Sequence, residues 1–546
     1  MSWDRLGTMP SVTNRLRDLP WWARSSLAAL AGAAGSLGFA PVGWWPVLII
    51  SVAALTLLAL PAPNWWHAAL AGAFFGLAMY IIGIRWMSVV FVVAVFGLAA
   101  IQAAYLAVLA VLLRLSGRTR FWPILAAGCW LVIEYLFSRY PYGGFPWLRL
   151  GYTVIDSPMA GLLPLVGVPG AGFALALVAQ LLAWTVLDAG TRKRRLAGLA
   201  TALLVLLGGS MGLLVPAGTE QGTVSVGYVQ GNAPGGGVYG LGEPRTITRN
   251  HVRETQRLAA KVESGEMPKP DFVVWPENGT DMDPFLDNQT NQLVKAAVAA
   301  VNVPVLIGTI TDGPGPNERQ TAAIVWDPVT GPQARYDKRN LVPFGEWVPE
   351  RRILEPLFPI VSYVGAQSIP GTGPGVLDVQ LPDRTVKVGD LICWELAYDS
   401  TVHDTVLAGG QLNVVQSSNA MYVGTSQVPQ QFAITRARAA ELRRDILVVT
   451  TTGTSGLIRP DGSVAFTLPE FQPASGVVQL GLRTGLTPAA QFSAGLELLA
   501  LWTTLAALVW VVWRSGRRRA QAGTVRDRRP VRVRQNGRVD SNQETP

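Results

Sequence analysis

Residues 389–400 read GDLICWELAYDS. A short apolar run ends on a cysteine, and a carboxylate follows two residues later. This cysteine, Cys393, is one of only two in 546 residues; the other, Cys129, lies in a strongly apolar stretch far upstream. Two cysteines exclude a disulfide framework and a Cys-rich zinc site. A lone thiol at a strand end is either buried and inert or a nucleophile. Its surroundings decide between the two.

Working outward, short apolar strands alternate with polar helical patterns. TVSVGYVQ (223–230) precedes a helical pattern in TRNHVRETQRLAAKV (248–262). DFVVWPE (271–277), a helix through NQLVKAAVAAV (291–301) and VPVLIGTI (303–310) follow. AAIVWDPVTGPQARYDK (322–338) reads as a hairpin. VKVGDLIC, LNVVQSS (412–418), a helix through QFAITRARAAELRR (431–444) and ILVVTTT (446–452) complete the series. This alternation predicts an α/β domain with a largely internal sheet over 217–490.

On either side the texture changes. Hydrophobic residues make up 49% of the chain, Trp numbers 19 and the formal net charge is +9. Indole rings favour the water–lipid boundary, and much of the charge is Arg clustered beside apolar runs, unlike the basic face of a nucleic-acid binder. Eight stretches approach the roughly 20 residues needed to cross a bilayer: 25–42, 44–61, 66–84, 88–113, 121–138, 161–187, 196–215 and 492–513. Charge orients them by the positive-inside rule. Arg5, Arg15, Arg17, Arg24, Arg114, Arg118, Arg120, Arg192, Lys193, Arg194, Arg195 and ten tail arginines from Arg514 to Arg538 fall on one side; only Arg85, Arg139 and Arg149 fall in the other side's short loops. The expected order is a cytoplasmic segment 1–24, a seven-span membrane domain 25–216, an extracytoplasmic domain 217–490, an eighth helix 491–513 and a basic disordered cytoplasmic tail 514–546. Both termini are then cytoplasmic, and the first span stays as an anchor rather than a cleaved signal.

A nucleophilic thiol needs a partner, since its free pKa leaves only a few per cent thiolate at neutral pH. The chain has three histidines. His67 adjoins a predicted span, His251 reads as part of a solvated helix face, and His403 reads as structural. Two other ionisable residues follow strands, where α/β sites are built: Glu277 ends FVVWPE, and Lys338 ends ARYDK. Glu there suits a proton shuttle; Lys suits stabilising a thiolate or an oxyanion.

VVWPEN (273–278), YDKRNLVPFGEWVP (336–349) and GDLICWE (389–395) together resemble the carbon–nitrogen hydrolase, or nitrilase, superfamily. With GFAP (38–41), LVPFGEWVP (341–349) and FPWLRLGY (145–152), the whole chain is similar to the bacterial apolipoprotein N-acyltransferases. The resemblance implies a multi-pass α-helical membrane domain joined to an extracytoplasmic α/β nitrilase-like αββα sandwich. It implies a catalytic triad of Glu277 as general base and acid, Lys338 for oxyanion and thiolate stabilisation, and Cys393 as nucleophile. Glu346 and Glu395 match supporting carboxylates, and Trp394 stands where many relatives have Tyr. RARAAELRR (436–444) resembles the helix that braces the nitrilase core. SSNAMY (417–422), with Ala420 in place of the commoner Asp, and VQGNAPGGG (229–237), without an early aromatic, depart from the pattern.

The implied reaction moves a fatty acyl group from a membrane phospholipid, through a cysteine thioester, to the α-amine of a diacylglyceryl-modified N-terminal cysteine on an apolipoprotein. It implies no cofactor, metal or nucleic acid, and residence in the bacterial cytoplasmic membrane. No Walker pattern and no histidine pair at metal-ligand spacing occur in the sequence. The apolar segment 351–370 is expected to face lipid and admit it. Arg139 and Arg149 are expected to meet phosphates or to snorkel. A tethered amidase using water shares the triad. A transporter is disfavoured, because Glu134 is essentially the one intramembrane charge.

Overall fold

The structure, a computed structural model, describes residues 12–187, 192–214, 220–236 and 242–526. After a short helix α1 (Val12–Arg17) come seven apolar helices: α2 (Trp21–Ser36), α3 (Trp45–Ala59), α4 (Trp65–Gly83), α5 (Val92–Ser116), α6 (Trp122–Phe137), α7 (Leu163–Leu187) and α8 (Arg192–Gly208). Local chemistry sets several starts. Pro46 and Pro123 sit in first turns, where a missing N–H costs nothing. Asn64 caps α4 by accepting the His67 N–H at 3.1 Å. Small residues let the helices close up. A Cβ on Gly32 of α2 would overlap the Phe75 carbonyl of α4, and one on Gly72 of α4 would overlap the Leu106 carbonyl of α5.

Every expected span contains a helix. Among the described residues, α4, α5, the segment Ala160–Leu187 and the last helix over Pro488–Arg517 are long and apolar enough to cross a membrane. The helices Trp45–Ala59, Trp122–Phe137 and Arg195–Gly208 are apolar but shorter. Two boundaries differ from expectation. The first helix begins at Trp21 and stops at Ser36, because Gly38–Gly43 (GFAPVG) holds a proline that cannot continue it. The last helix runs on to Arg526, since the Arg, Ala and Gln beyond Trp513 are good helix formers. The predicted disorder of 514–526 is thereby corrected. The remaining tail, 527–546, and the segment before Val12 lie outside the described residues.

The intervening part folds as two stacked sheets. Its elements are β1 (Glu220–Gln230), α9 (Thr246–Glu263), β2 (Phe272–Val274), α10 (Asn288–Val301), β3 (Val305–Asp312), β4 (Glu318–Asp327), β5 (Gly331–Asp337), α11 (Arg351–Leu357), β6 (Gln367–Ser368), β7 (Val376–Gln380), β8 (Thr385–Ile392), α12 (Asp399–Leu407), β9 (Leu412–Ser417), α13 (Gln427–Leu442), β10 (Ile446–Thr450), β11 (Gly456–Ile458), β12 (Val464–Thr467) and β13 (Ala474–Arg483). The last helix is α14 (Pro488–Arg526). One sheet has the order β13-β1-β2-β3-β4-β5, with β6 beside β4; the other has β12-β11-β10-β9-β8-β7. The centre of each sheet is parallel, β1-β2-β3 and β8-β9-β10, and the rims are antiparallel.

Alternate residues from both sheets fill the space between them, including Val226, Val274, Leu306, Val388, Val414 and Val449. Helices α9 and α10 cover the outer face of the first sheet through Leu258, Val294 and Val298. Helices α12 and α13 cover the second through Val402, Val406 and Ile434. This is the expected αββα arrangement. The α12/α13 layer is shared: its core is continuous with that of the apolar helices. At Gly167 (φ 69°) α7 breaks, and the freed Val168 N–H donates to the Glu441 carboxylate of α13 at 3.1 Å. No side chain larger than hydrogen fits there, because a Cβ would meet Glu441 Oε1 and Ser493.

Candidate active site

The candidate residues gather at the C-terminal ends of two central parallel strands, where open α/β sheets place their sites, and of the antiparallel edge strand β5. Glu277 follows β2, Lys338 follows β5, and Cys393 follows β8, whose last residue Ile392 pairs with Gln416 of β9. Chain geometry is forced at the nucleophile. Cys393 has φ 54°, a left-handed conformation costing a side-chain-bearing residue about 1–2 kcal/mol. Glu395 holds this turn. Its Oε2 accepts the Ile392 N–H at 2.9 Å; its Oε1 accepts the Tyr336 hydroxyl at 2.7 Å and the Arg339 and Asn340 N–H groups at 2.6 and 3.2 Å. Glu395 is therefore a fully buried strut between the nucleophile turn and the strand end that carries Lys338. Burial, the largest influence, pushes its pKa up, and these donors oppose that rise.

Lys338 is 1% exposed, and its Nζ donates to Glu277 Oε1 and Glu346 Oε1, both at 2.8 Å. Burial alone would lower its pKa, but the two carboxylates outweigh burial and hold it well above that of a free lysine. An ammonium has three N–H donors, and these two carboxylates take two of them. Each carboxylate is fixed from behind: Glu277 Oε2 accepts the Ser418 N–H at 2.9 Å, and Glu346 Oε2 the Val342 N–H at 2.7 Å.

Cys393 is half-buried, and Ser417 lies close enough to ease its ionisation. Burial first, then the Glu277 charge, push the thiol up to about 12 against the pull of Lys338 and Ser417. At rest Cys393 is thus a thiol. Asp390, three residues earlier, points into the sandwich with neither carboxyl oxygen hydrogen-bonded among the described residues. Burial first, then the Glu395 and Glu277 charges, raise its pKa well above the usual carboxylate range.

The walls come from both halves of the chain. The Trp394 ring stacks on Trp147, 5.0 Å between centroids and 9° from parallel, and meets Phe145 at 5.5 Å. Trp86 packs on Trp147 at 5.7 Å and edge-on to Tyr422 at 5.3 Å. One side chain pins this wall. Gln430 of α13 accepts both indole N–H groups, from Trp147 at 2.8 Å and Trp86 at 2.9 Å, and donates to the Gly83 carbonyl at 2.9 Å. Gln430 escaped sequence reading, because a glutamine on a helix carries no signal until its partners are known. The two departures from the family pattern pack on one another: Ala420 and Ala233 form a small buried cluster with Ile247.

Several sequence readings need correction. His251 is not on a solvated face. It is fully buried, its Nδ1 lies 2.9 Å from the Ile247 carbonyl, and its ring is 5.5 Å from that of Trp275. Burial lowers its pKa to about 4, so it packs beneath the WPE turn as a neutral ring. Arg149 neither snorkels nor faces open lipid. It is 1% exposed and pairs with Asp399 at 2.7 Å, with Glu497 at 3.9 Å. Arg139 pairs with Glu497 at 2.7 Å, so Glu134 is not the one charge in the predicted spans: Glu497 lies within 492–513 as well. Glu134 accepts the Leu150 N–H at 2.8 Å and serves that loop. His403 is structural as read, 3.1 Å from Glu441.

Comparison with known proteins agrees with the motifs. The apolipoprotein N-acyltransferase N-terminal domain matches residues 31–181, and the carbon-nitrogen hydrolase domain matches residues 253–484. An apolipoprotein N-acyltransferase of Mycolicibacterium smegmatis is 33% identical over 92% of this chain and 88% of its own length. Those of Photobacterium profundum and Ralstonia nicotianae are 27% and 30% identical, over 93% and 85% of this chain and 98% and 88% of their own lengths. Among solved structures, an amidase of the nitrilase superfamily from Nesterenkonia AN1 covers 51% of this chain and 97% of its own at a TM-score of 0.37 and 15% identity, too loose a likeness to carry an argument. With the αββα sandwich, the Glu–Lys–Cys constellation and this degree of identity together, the chain belongs to the apolipoprotein N-acyltransferase family.

Proposed function

We propose that this acyltransferase takes a fatty acyl group from a membrane phospholipid and delivers it to the N-terminal α-amine of a diacylglyceryl-cysteine on an apolipoprotein. The observation that carries the reading is the seating of the Glu277–Lys338–Cys393 cluster against a wall shared with the apolar helices, Trp394 on Trp147. Glu277 takes the thiol proton as Cys393 Sγ attacks the ester carbonyl. The remaining N–H of Lys338 and the backbone N–H of Trp394 receive the oxyanion. Collapse expels the lysophospholipid alkoxide, which takes the proton from Glu277 and leaves a thioester. The acceptor amine then attacks the thioester and gives its proton to Glu277. The departing thiolate recovers that proton as the amide forms.

Eight crossings, with the sandwich on the extracytoplasmic face of the cytoplasmic membrane and both termini inside, fit this chemistry. Both substrates are lipid-anchored, and lifting a chain into water costs about 0.8 kcal/mol per CH₂. In that arrangement residues 25–216 form the membrane domain, 217–490 the extracytoplasmic domain, and α14 the eighth crossing. The segment 351–370 serves as the lipid-facing entrance. In support, Ile353, Leu357 and Phe358 there are exposed, and Tyr142 of the α6–α7 connection packs edge-on to Trp347 at 6.2 Å. The test is a two-substrate assay in nanodiscs with a labelled phospholipid and a diacylglyceryl lipopeptide. Label should appear in an amide on the peptide, and Glu277→Gln or Cys393→Ala should stop it. Label appearing only as free fatty acid, with peptide present, would replace transfer by hydrolysis.

A further inference from the structure

Far from Cys393, a groove of about 330 Å³ opens between α6, α7 and α14. Phe121 and Leu125 form one wall, Phe173 another, and Ala500, Ala507 and Trp510 the third. Small alanines leave the hollow, and aromatic rings bound it. Two of those rings carry cations. The Arg120 guanidinium lies 4.5 Å over the Phe121 ring, and that of Arg514 lies 5.0 Å over Trp510. One turn on, Arg517 lies 4.0 Å over Trp513. None of the three arginines has a carboxylate within ion-pair distance among the described residues.

We propose that this groove binds one anionic phospholipid as a resident rather than a substrate, an acyl chain between α6, α7 and α14 and the phosphate at Arg120 and Arg514. The charge decides the occupant. Unpaired guanidinium groups at the mouth of an apolar groove match a negative headgroup. A zwitterionic lipid brings a cation of its own to the same place. The groove is also remote from the chemistry. Glu497, which meets Arg139 beside the catalytic domain, precedes Trp510 by 13 helical residues, roughly 20 Å at 1.5 Å per residue. A lipid lodged there holds α14 against α6 and α7. It thereby supports the Glu497 end of α14, which pairs with Arg139.

The experiment is native mass spectrometry of the full chain, carrying Cys393→Ala so that bound lipid is not consumed. The protein is released from detergent containing either phosphatidylglycerol or phosphatidylcholine. One phosphatidylglycerol should be retained, at least fivefold more than phosphatidylcholine. The pair Arg120→Gln and Arg514→Gln should lower that retention about fivefold per arginine, and Arg120→Lys with Arg514→Lys should largely restore it. Ala507→Phe, which fills the groove and leaves the charges, should lower retention of both lipids. Equal retention of the two lipids by the unsubstituted groove would overturn the proposal. So would phosphatidylglycerol binding that the Gln pair and Ala507→Phe both leave unchanged. Circular dichroism in the same detergent checks that each variant is folded.

Discussion

Two clusters of buried charge lie one helix layer apart. In the first, Lys338 faces Glu277 and Glu346 beside Cys393, with Glu395 behind the turn. In the second, Arg438 donates to Asp399 at 2.7 Å and to Glu441 at 2.5 Å; Arg149 meets Asp399, and His403 meets Glu441. Burial would lower the His403 pKa, but Glu441 outweighs it and keeps the ring more basic than a free histidine. The second cluster balances its charges and closes on the Leu396 and Ala397 carbonyls. The first does not balance: two carboxylates share one ammonium, one N–H is left over, and a half-buried thiol stands beside them. Closed charge is an adhesive between α12, α13 and the apolar helices. Open charge is chemistry.

Substitutions separate the two roles. Cys393→Ala should abolish acyl transfer with little change in melting temperature. Glu277→Gln should lower kcat by about 10³, the scale of a lost general base. The same change removes the negative charge that raises the thiol, so Cys393 should alkylate faster with iodoacetamide than in the parent. Less turnover from a more reactive thiol would mark Glu277 as the base rather than a thiolate stabiliser. The pH dependence follows in sign. A thiol raised to about 12 ionises tenfold more per pH unit across the accessible range, so alkylation of the parent should climb through pH 10 without a plateau. A plateau below pH 8 would mean a preformed thiolate.

Arg438→Met should act in the opposite manner. It takes one cation from two buried carboxylates, leaving Asp399 to Arg149 and Glu441 to His403, and should cost about 3 kcal/mol, read as a fall in melting temperature, with kcat in the surviving fold changed far less. Gln430→Leu should cost a comparable amount, because it leaves the Trp86 and Trp147 indole N–H groups unpaired at about 1–3 kcal/mol each. Through the stack on Trp394 it should raise KM for the phospholipid more than it lowers kcat. Smallest of all, Asp390→Asn keeps the shape of a side chain whose charge burial disfavours and should shift stability by under about 1 kcal/mol in denaturant titration.

The two clusters were also unequally legible in the sequence. Glu277, Lys338 and Cys393 each end a strand whose alternation can be read locally, and the structure brings them together. Arg149, Asp399 and Glu497 come from three remote segments, and nothing local marks them as partners. Arg149 beside an apolar run reads as a topology charge, and only the packed fold shows it enclosed. His251 failed for a related reason. Its helix is polar on one side, and its own face is set by Trp275 in another strand. The helices were legible as apolar runs, but their ends were not. Pro41 cut the first one short, and the helix-forming tail extended the last one to Arg526.

The most direct measurement is the intact mass of the purified protein after incubation with phospholipid and no acceptor. The expected result is a gain of one acyl chain on Cys393, released by neutral hydroxylamine, absent in Cys393→Ala and discharged on adding a diacylglyceryl lipopeptide. A folded protein in lipid that acylates the lipopeptide without ever carrying that mass would contradict the thioester, and with it the role given to Cys393.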